Sequence, residues 1–229
     1  MLACLESLMM IDHQDYRDEL LRKRHPDTFE WLLEDEQYQR WLKDEALTVL
    51  WINGAPGCGK SVLSSFLSER LARNPGVTGR RAPVVAYFFC RHDNNCLQTE
   101  TAILQHLLAQ LLDQAPRHFR HFISEYDTRK GKTEWSFQRL SRVFRNIITD
   151  CDAGPIFFLI DGLDECSGES QKKFLRELNY CFGDFTAVDK KFKLIITSRP
   201  EVLVRDYVTS LVDISALNEH PKLRKRSAC

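Results

Sequence analysis

The chain has 229 residues, 43% of them hydrophobic, which is enough for one full α/β core and too few for two large ones. Its 32 basic residues balance 32 acidic ones, so no net field draws it to nucleic acid or to an anionic bilayer; any polyanion must be bound locally. No run approaches the roughly 18 apolar residues of a membrane helix, the opening ten residues lack a basic leader region, and the eight cysteines include no CxxC pair, so a reducing, cytoplasmic setting is expected.

In chain order, Leu20, Leu21, Phe29, Leu32, Leu33, Tyr38, Trp41 and Leu42 recur at helical spacing. The pattern breaks at Pro26, where Asp27 and Thr28 can cap a new start. Residues 47–52, LTVLWI, form a continuous apolar run followed at once by glycines, the pattern of a buried parallel strand feeding a loop. Val62, Leu63, Phe66, Leu67 and Leu71 then make a helical stripe. The alternation repeats with a strand at 83–90, a helix carrying Ile103, Leu104, Leu107, Leu108, Leu111 and Leu112, and a polar linker at 127–134. A helix through Leu140, Val143, Phe144, Ile147 and Ile148 follows, then a strand at 155–161, a helix through Phe174, Leu175, Leu178, Cys181 and Phe182, and a strand at 193–198. A fifth strand is expected at 210–215, and the basic end of the chain reads as an unstructured tail. Strands alternating with helices imply a parallel sheet covered on both faces. The expected division is a helical prelude over 1–45, the α/β domain over 46–216 and an unstructured or truncated tail over 217–229.

The segment Gly54, Ala55, Pro56, Gly57, Cys58, Gly59, Lys60, Ser61 fits GxxxxGK[ST], and it lies between a buried strand and an amphipathic helix, where a phosphate loop must lie. Its glycines let successive backbone N–H groups turn inward toward phosphate oxygens, and the helix beginning at Lys60 to Val62 adds its positive end. Lys60 would reach the β and γ phosphates, and Ser61 would give Mg²⁺ a hard oxygen ligand. Residues 156–165, IFFLIDGLDE, supply the other half: Asp161 at a strand end for the hydrated metal, then Asp164 and Glu165 to orient or deprotonate the attacking water, with Glu165 preferred. Thr197, Ser198, Arg199 and Pro200 close the next strand, and Arg199 could reach a γ-phosphate from there. No NKxD segment reads guanine, so adenine is the expected base. Cys90 and Cys96 with His118 and His121 have poor zinc spacing, and Cys58 reads as a small filler in the loop.

With these residues the chain resembles the NACHT branch of the signal-transduction (STAND) NTPases, in particular fungal NOD-like receptor domains related to the nephrocystin N-terminal domain. The resemblance includes Cys4 to Leu8, Arg17, His25 to Leu33 and Tyr38 to Leu42, all before the loop. It implies an α/β fold: a P-loop NTPase three-layer α/β/α sandwich with a mainly parallel five-stranded sheet and a short N-terminal helical segment. It further implies that the strands ending in Asp161 and in Ser198 lie beside the first strand. Its members are ATP/ADP-gated switches that use Mg²⁺ and oligomerise when ATP replaces ADP, so ATP and further copies of the chain are the expected partners, with no nucleic acid and no membrane. The helical lid and repeat array of such receptors are not found here, which keeps open two alternatives: a conventional turnover ATPase, or an interaction fragment without nucleotide.

Overall fold

The computed structural model describes residues 5–8, 13–44, 46, 48–73, 82–128, 134–149, 155–183, 192–200, 204–207 and 211–214. The tail at 217–229, most of the linker at 127–134, and Cys4, Cys151 and Cys229 lie outside the described residues. Helices α1 (His13–Lys23), α2 (Glu30–Glu34) and α3 (Glu36–Lys43) precede strand β1 (Val49–Asn53). Then come α4 (Lys60–Arg73), β2 (Val84–Phe89), α5 (Glu100–Gln114), α6 (Phe119–Asp127), α7 (Phe137–Ile148), β3 (Ile156–Asp161), α8 (Gly168–Gly183), β4 (Phe192–Ser198), α9 (Val204–Tyr207) and β5 (Leu211–Ile214). The five strands run in the order β2-β3-β4-β1-β5, each pair parallel.

The order corrects one expectation. Of the two site-bearing strands only β4 adjoins β1, with Ile52 opposite Thr197 and Asn53 opposite Ser198, while β3 lies one strand further out. Both faces of the sheet are apolar because both are covered, which is why the strands read as unbroken hydrophobic runs. Leu50, Ile52, Tyr87, Phe89, Phe157, Leu159 and Ile195 face α1 to α4, and Val49, Trp51, Phe88, Phe158, Ile160 and Ile196 face α5 to α8. Fully burying side chains of this size contributes roughly 1.5–3 kcal/mol each.

The expected cap at Asp27 and Thr28 is also corrected. Phe29 is the residue that enters α2, in a left-handed conformation (φ 72°), and it makes no side-chain cap bond. The Thr28 hydroxyl instead donates to the His25 carbonyl at 2.5 Å, closing the turn locally. Asp35 performs the capping, its carboxylate accepting from the N–H of Gln37 and Tyr38 at the start of α3. At the other end of α3, the buried Lys193 of β4 donates to the carbonyls of Trp41 (2.7 Å) and Asp44 (2.6 Å). A cation there complements the negative end of the helix and ties the N-terminal helices to the sheet.

Strand β2 is an edge, and an uncovered edge presents unpaired backbone groups. Two glutamines of α5 cover it. Gln110 accepts from the Tyr87 N–H (3.1 Å) and donates to the Tyr87 carbonyl (2.7 Å); Gln114 does the same for Val85 at 3.1 and 2.8 Å. Four residues of helix rise about 6 Å and two residues of strand about 6.6 Å, so the two spacings match.

Candidate functional site

The loop after β1 opens with the Gly54 N–H bonded to the Ser198 carbonyl (3.2 Å), so its origin is fixed against the end of β4. Gly57 and Gly59 have φ of 75° and 91°, where a side chain strains the backbone. At Gly59 an added Cβ would also lie 3.5 Å from the Phe29 ring, which brings the residue entering α2 up against the loop. Leu63 is the first residue of α4 whose N–H reaches back, to the Gly59 carbonyl at 2.9 Å. The N–H groups of Lys60, Ser61 and Val62 thus belong to the helix's opening turn, which has no carbonyl of its own to offer them. The Lys60 ammonium folds over the loop and donates to the carbonyls of Gly54 (2.8 Å) and Ala55 (3.0 Å), with the Cys58 sulfur 4.0 Å away. Pro56 and Gly57 are exposed at the loop's crest.

Asp161 ends β3 beneath that loop. Its carboxylate accepts from Ser64 (2.8 Å) and Thr197 (2.6 Å), and Ser61 also hydrogen-bonds to it. Three segments distant in the chain therefore meet on one carboxylate: the first turns of α4, the end of β3 and the end of β4. Burial pushes the Asp161 carboxyl above its ordinary range, against the opposing pull of the Ser61, Thr197 and Ser64 hydroxyls. Among the described residues no basic side chain pairs with it. A buried carboxylate surrounded by neutral hydroxyl oxygens is an all-oxygen donor set, the kind that Mg²⁺ takes. The residues present therefore fit that metal.

Asp164 and Glu165 follow on a single 3-10 turn, Leu163–Glu165, and they face different partners. Asp164 accepts from the Arg199 backbone N–H on one oxygen, while the other lies 3.0 Å from the guanidinium Nε. Glu165 accepts from the His92 backbone N–H at 2.9 Å, with the His92 ring Nδ1 at 3.1 Å. Neither carboxylate is loose: one is held at the end of β4 and the other just beyond β2. Arg199 is half exposed and directed at Asp164.

Ser64, Thr197 and His92 are contributors that the sequence did not single out. Ser64 lies one turn beyond Ser61 in the apolar stripe of α4, and a buried hydroxyl on that face was its available signal. Thr197 was visible as part of the segment ending in Arg199, though without a role; its hydroxyl also accepts from the Gly162 N–H at 3.1 Å. Nothing local links His92 to Glu165, because the pairing spans 73 residues.

A model of the family described as nephrocystin 3, N-terminal, matches residues 27–199, from just before α2 to the arginine that meets Asp164. The chain belongs to this family. The NACHT-type assignment implied by the motifs stands with it, and this nephrocystin-like domain is a P-loop NTPase fold. It is similar to the vegetative incompatibility protein HET-E-1 of Podospora anserina, with 30% identity over 147 residues, 61% of this chain and 10% of that protein. The nephrocystin-like domain thus spans about a tenth of that relative's length. Among solved structures it is similar to Drosophila ORC bound to DNA (TM-score 0.49, 14% identity, 90% of this chain and 47% of that one). Another is the Walker-type ATPase PABY2304 of Pyrococcus abyssi (TM-score 0.44, 19% identity, 83% and 55%). Among the described residues no helix is long and apolar enough to cross a membrane.

Proposed function

We propose that the domain binds ATP and ADP with Mg²⁺ between the loop and the end of β3, and acts as a nucleotide-dependent signalling switch that hydrolyses ATP slowly. The observation that carries this reading is the meeting of Ser61, Ser64 and Thr197 on Asp161 directly under the loop. Gly54, Ala55, Pro56, Gly57, Cys58, Gly59, Lys60, Ser61 and Val62 would cradle the phosphates, and Ser61 with Asp161 would hold the metal. When bound, Mg²⁺ neutralises phosphate charge. Lys60, now resting on two loop carbonyls, exchanges them for phosphate oxygens, which form stronger, charge-assisted bonds. Glu165, with Asp164 as the alternative, orients and deprotonates water, and Arg199 senses the γ-phosphate.

The resting contacts favour a slow switch over a turnover enzyme. Glu165 is held by His92 through Oε2 and Asp164 by Arg199 through both oxygens, so neither candidate base is freely placed to act on water. Oligomerisation on exchange of ADP for ATP, which the NACHT-type resemblance implies, belongs to the same proposal.

Titration of the purified protein with labelled ATP and ADP tests the site, with Lys60→Ala as the control. The variant is expected to lose about 100-fold in affinity, the scale of a lost charge-assisted phosphate contact in a partly buried site. Equal affinities would remove the assignment. Turnover below about one per minute in magnesium supports the switch, whereas rates of roughly ten per second point to an ordinary ATPase.

A further inference from the structure

The turn that carries Asp164 and Glu165 is joined to the end of β2 by more than the His92 contact. Cys90, the first residue after β2, donates its N–H to the Asp161 carbonyl at 2.9 Å, and its own carbonyl lies against Gly162. Cys166 directly follows Glu165. The Cys166 thiol donates to the Cys90 sulfur at 3.2 Å, both side chains are buried, and both cysteines are free. Two sulfurs this close need to approach by only about 1.2 Å to reach the 2.03–2.05 Å of a covalent bond. The flanking residues Ser167 and Gly168 are exposed, so local opening of the turn is enough to admit a small oxidant.

We propose that Cys90 and Cys166 are a redox modification site: a peroxide converts them to a reversible disulfide that clamps the Glu165 turn to the end of β2. One sulfur, as thiolate, attacks a peroxide oxygen and displaces hydroxide, giving a sulfenic acid. The other sulfur then attacks that sulfenic sulfur and displaces the hydroxyl as water. Two thiols and one hydrogen peroxide thus give one disulfide and two waters, and a dithiol reductant reverses the change.

Chemistry and position both support a conditional device. Both sulfurs are buried, so the pair is shielded from oxidants and stays quiet in the resting molecule until the turn opens. Hydrogen peroxide is small and uncharged, suited to a pair that opens only briefly. Once formed, the bond ties the residue after Glu165 to the residue two before His92, so the Glu165 turn and the His92 backbone are held together. The effect on turnover rests on the reading of Glu165 as the water-activating group; the disulfide itself does not.

The experiment treats the intact protein with hydrogen peroxide, blocks remaining thiols with an alkylating agent and maps the peptides without reduction. A Cys90–Cys166 linkage is expected, assigned by fragmentation so that Cys151 on the same tryptic peptide is distinguished, lost on reduction and absent from Cys90→Ser and Cys166→Ser. Amide hydrogen exchange over residues 162–167 is expected to slow in the oxidised protein. ATP hydrolysis is expected to fall about tenfold in oxidised wild type, recover with reductant and stay unchanged by peroxide in Cys166→Ser, which retains Cys58. Recovery of both cysteines as alkylated thiols, under conditions that oxidise the exposed Cys96, overturns the site. A linkage that leaves exchange over 162–167 unchanged overturns the clamp. Absence of turnover in the reduced protein defeats the hydrolytic reading alone, because mapping and exchange still decide the disulfide and the clamp.

Discussion

Arg199 holds Asp164 at two points, by its backbone N–H on Oδ1 and by its Nε on Oδ2, each at 3.0 Å. The arginine expected to address a phosphate is thus directed at a carboxylate, and the backbone contact does not depend on the side chain. Replacing Arg199 by Ala should therefore lower stability by less than about 1 kcal/mol, since the guanidinium is half exposed. If Arg199 turns to the γ-phosphate when ATP binds, the variant loses about tenfold of its preference for ATP over ADP. Competition titrations read this ratio; an unchanged ratio would confine Arg199 to supporting Asp164.

Glu165→Gln should keep nucleotide binding and reduce hydrolysis by about 10²-fold or more, the usual contribution of a positioned general base. The His92 N–H can still donate to the glutamine oxygen, so the turn remains formed. Single-turnover assays on this variant and on Asp164→Asn separate the two carboxylates. Persistence of hydrolysis in the first with loss in the second would assign the role to Asp164.

Asp161→Asn separates stability from binding. Burial raises the Asp161 carboxyl, so its charged form is disfavoured in the folded protein. The folded state holds its proton more tightly than the unfolded chain, and the stability linked to that proton is lost as pH rises through the raised value. An amide keeps an acceptor for Ser64 and Thr197 and removes the buried charge. Without nucleotide or metal, the variant should melt about 2–4 °C higher at neutral pH, the change that ~1 kcal/mol makes in a domain of this size. It should also lose the magnesium dependence of ATP binding. A lower melting temperature would mean that the charge is already compensated.

His13 should make the fold acid-sensitive. It packs against Phe88 (4.8 Å between ring centroids) and His106 (4.7 Å), and its imidazole is pushed down to about 3 from 6.5 by burial, then by the charges of His106 and Arg91. A depressed value means that the stability His13 contributes is complete above its unfolded value and is lost as pH falls toward the folded one. Between pH 6.5 and about pH 5 this amounts to about 1.5 kcal/mol. Denaturant midpoints for wild type and His13→Leu should diverge in that interval, with the variant flatter; parallel curves would assign the acid sensitivity elsewhere.

Much of the fold was legible because β1 to β4 are covered on both faces and so appear as largely apolar runs. The glycine-lysine loop was legible because its pattern is local. What remained hidden depends on partners far apart in sequence. Gln110 and Gln114 look like ordinary polar positions on a helix until the edge of β2 is placed beside them. Ser64 looks like a small residue in a stripe until Asp161 lies under it. The position of β4 between β1 and β3 has no local signature, since all three strands are equally apolar. At Phe29 a local rule gave the wrong answer: Asp27 and Thr28 have capping side chains, but the close approach of Phe29 to Gly59 goes with a left-handed entry into α2 instead.

The ammonium of Lys193, lodged under the last turn of α3, sets how this polypeptide can be divided. A fragment trimmed to begin at β1 would leave that cation without the Trp41 and Asp44 carbonyls and expose the sheet face on which Leu32, Trp41 and Leu42 sit. Such a fragment would retain every residue assigned to the nucleotide and yet be expected to aggregate, so recombinant versions meant for binding work need the leading helices as part of the same folding unit.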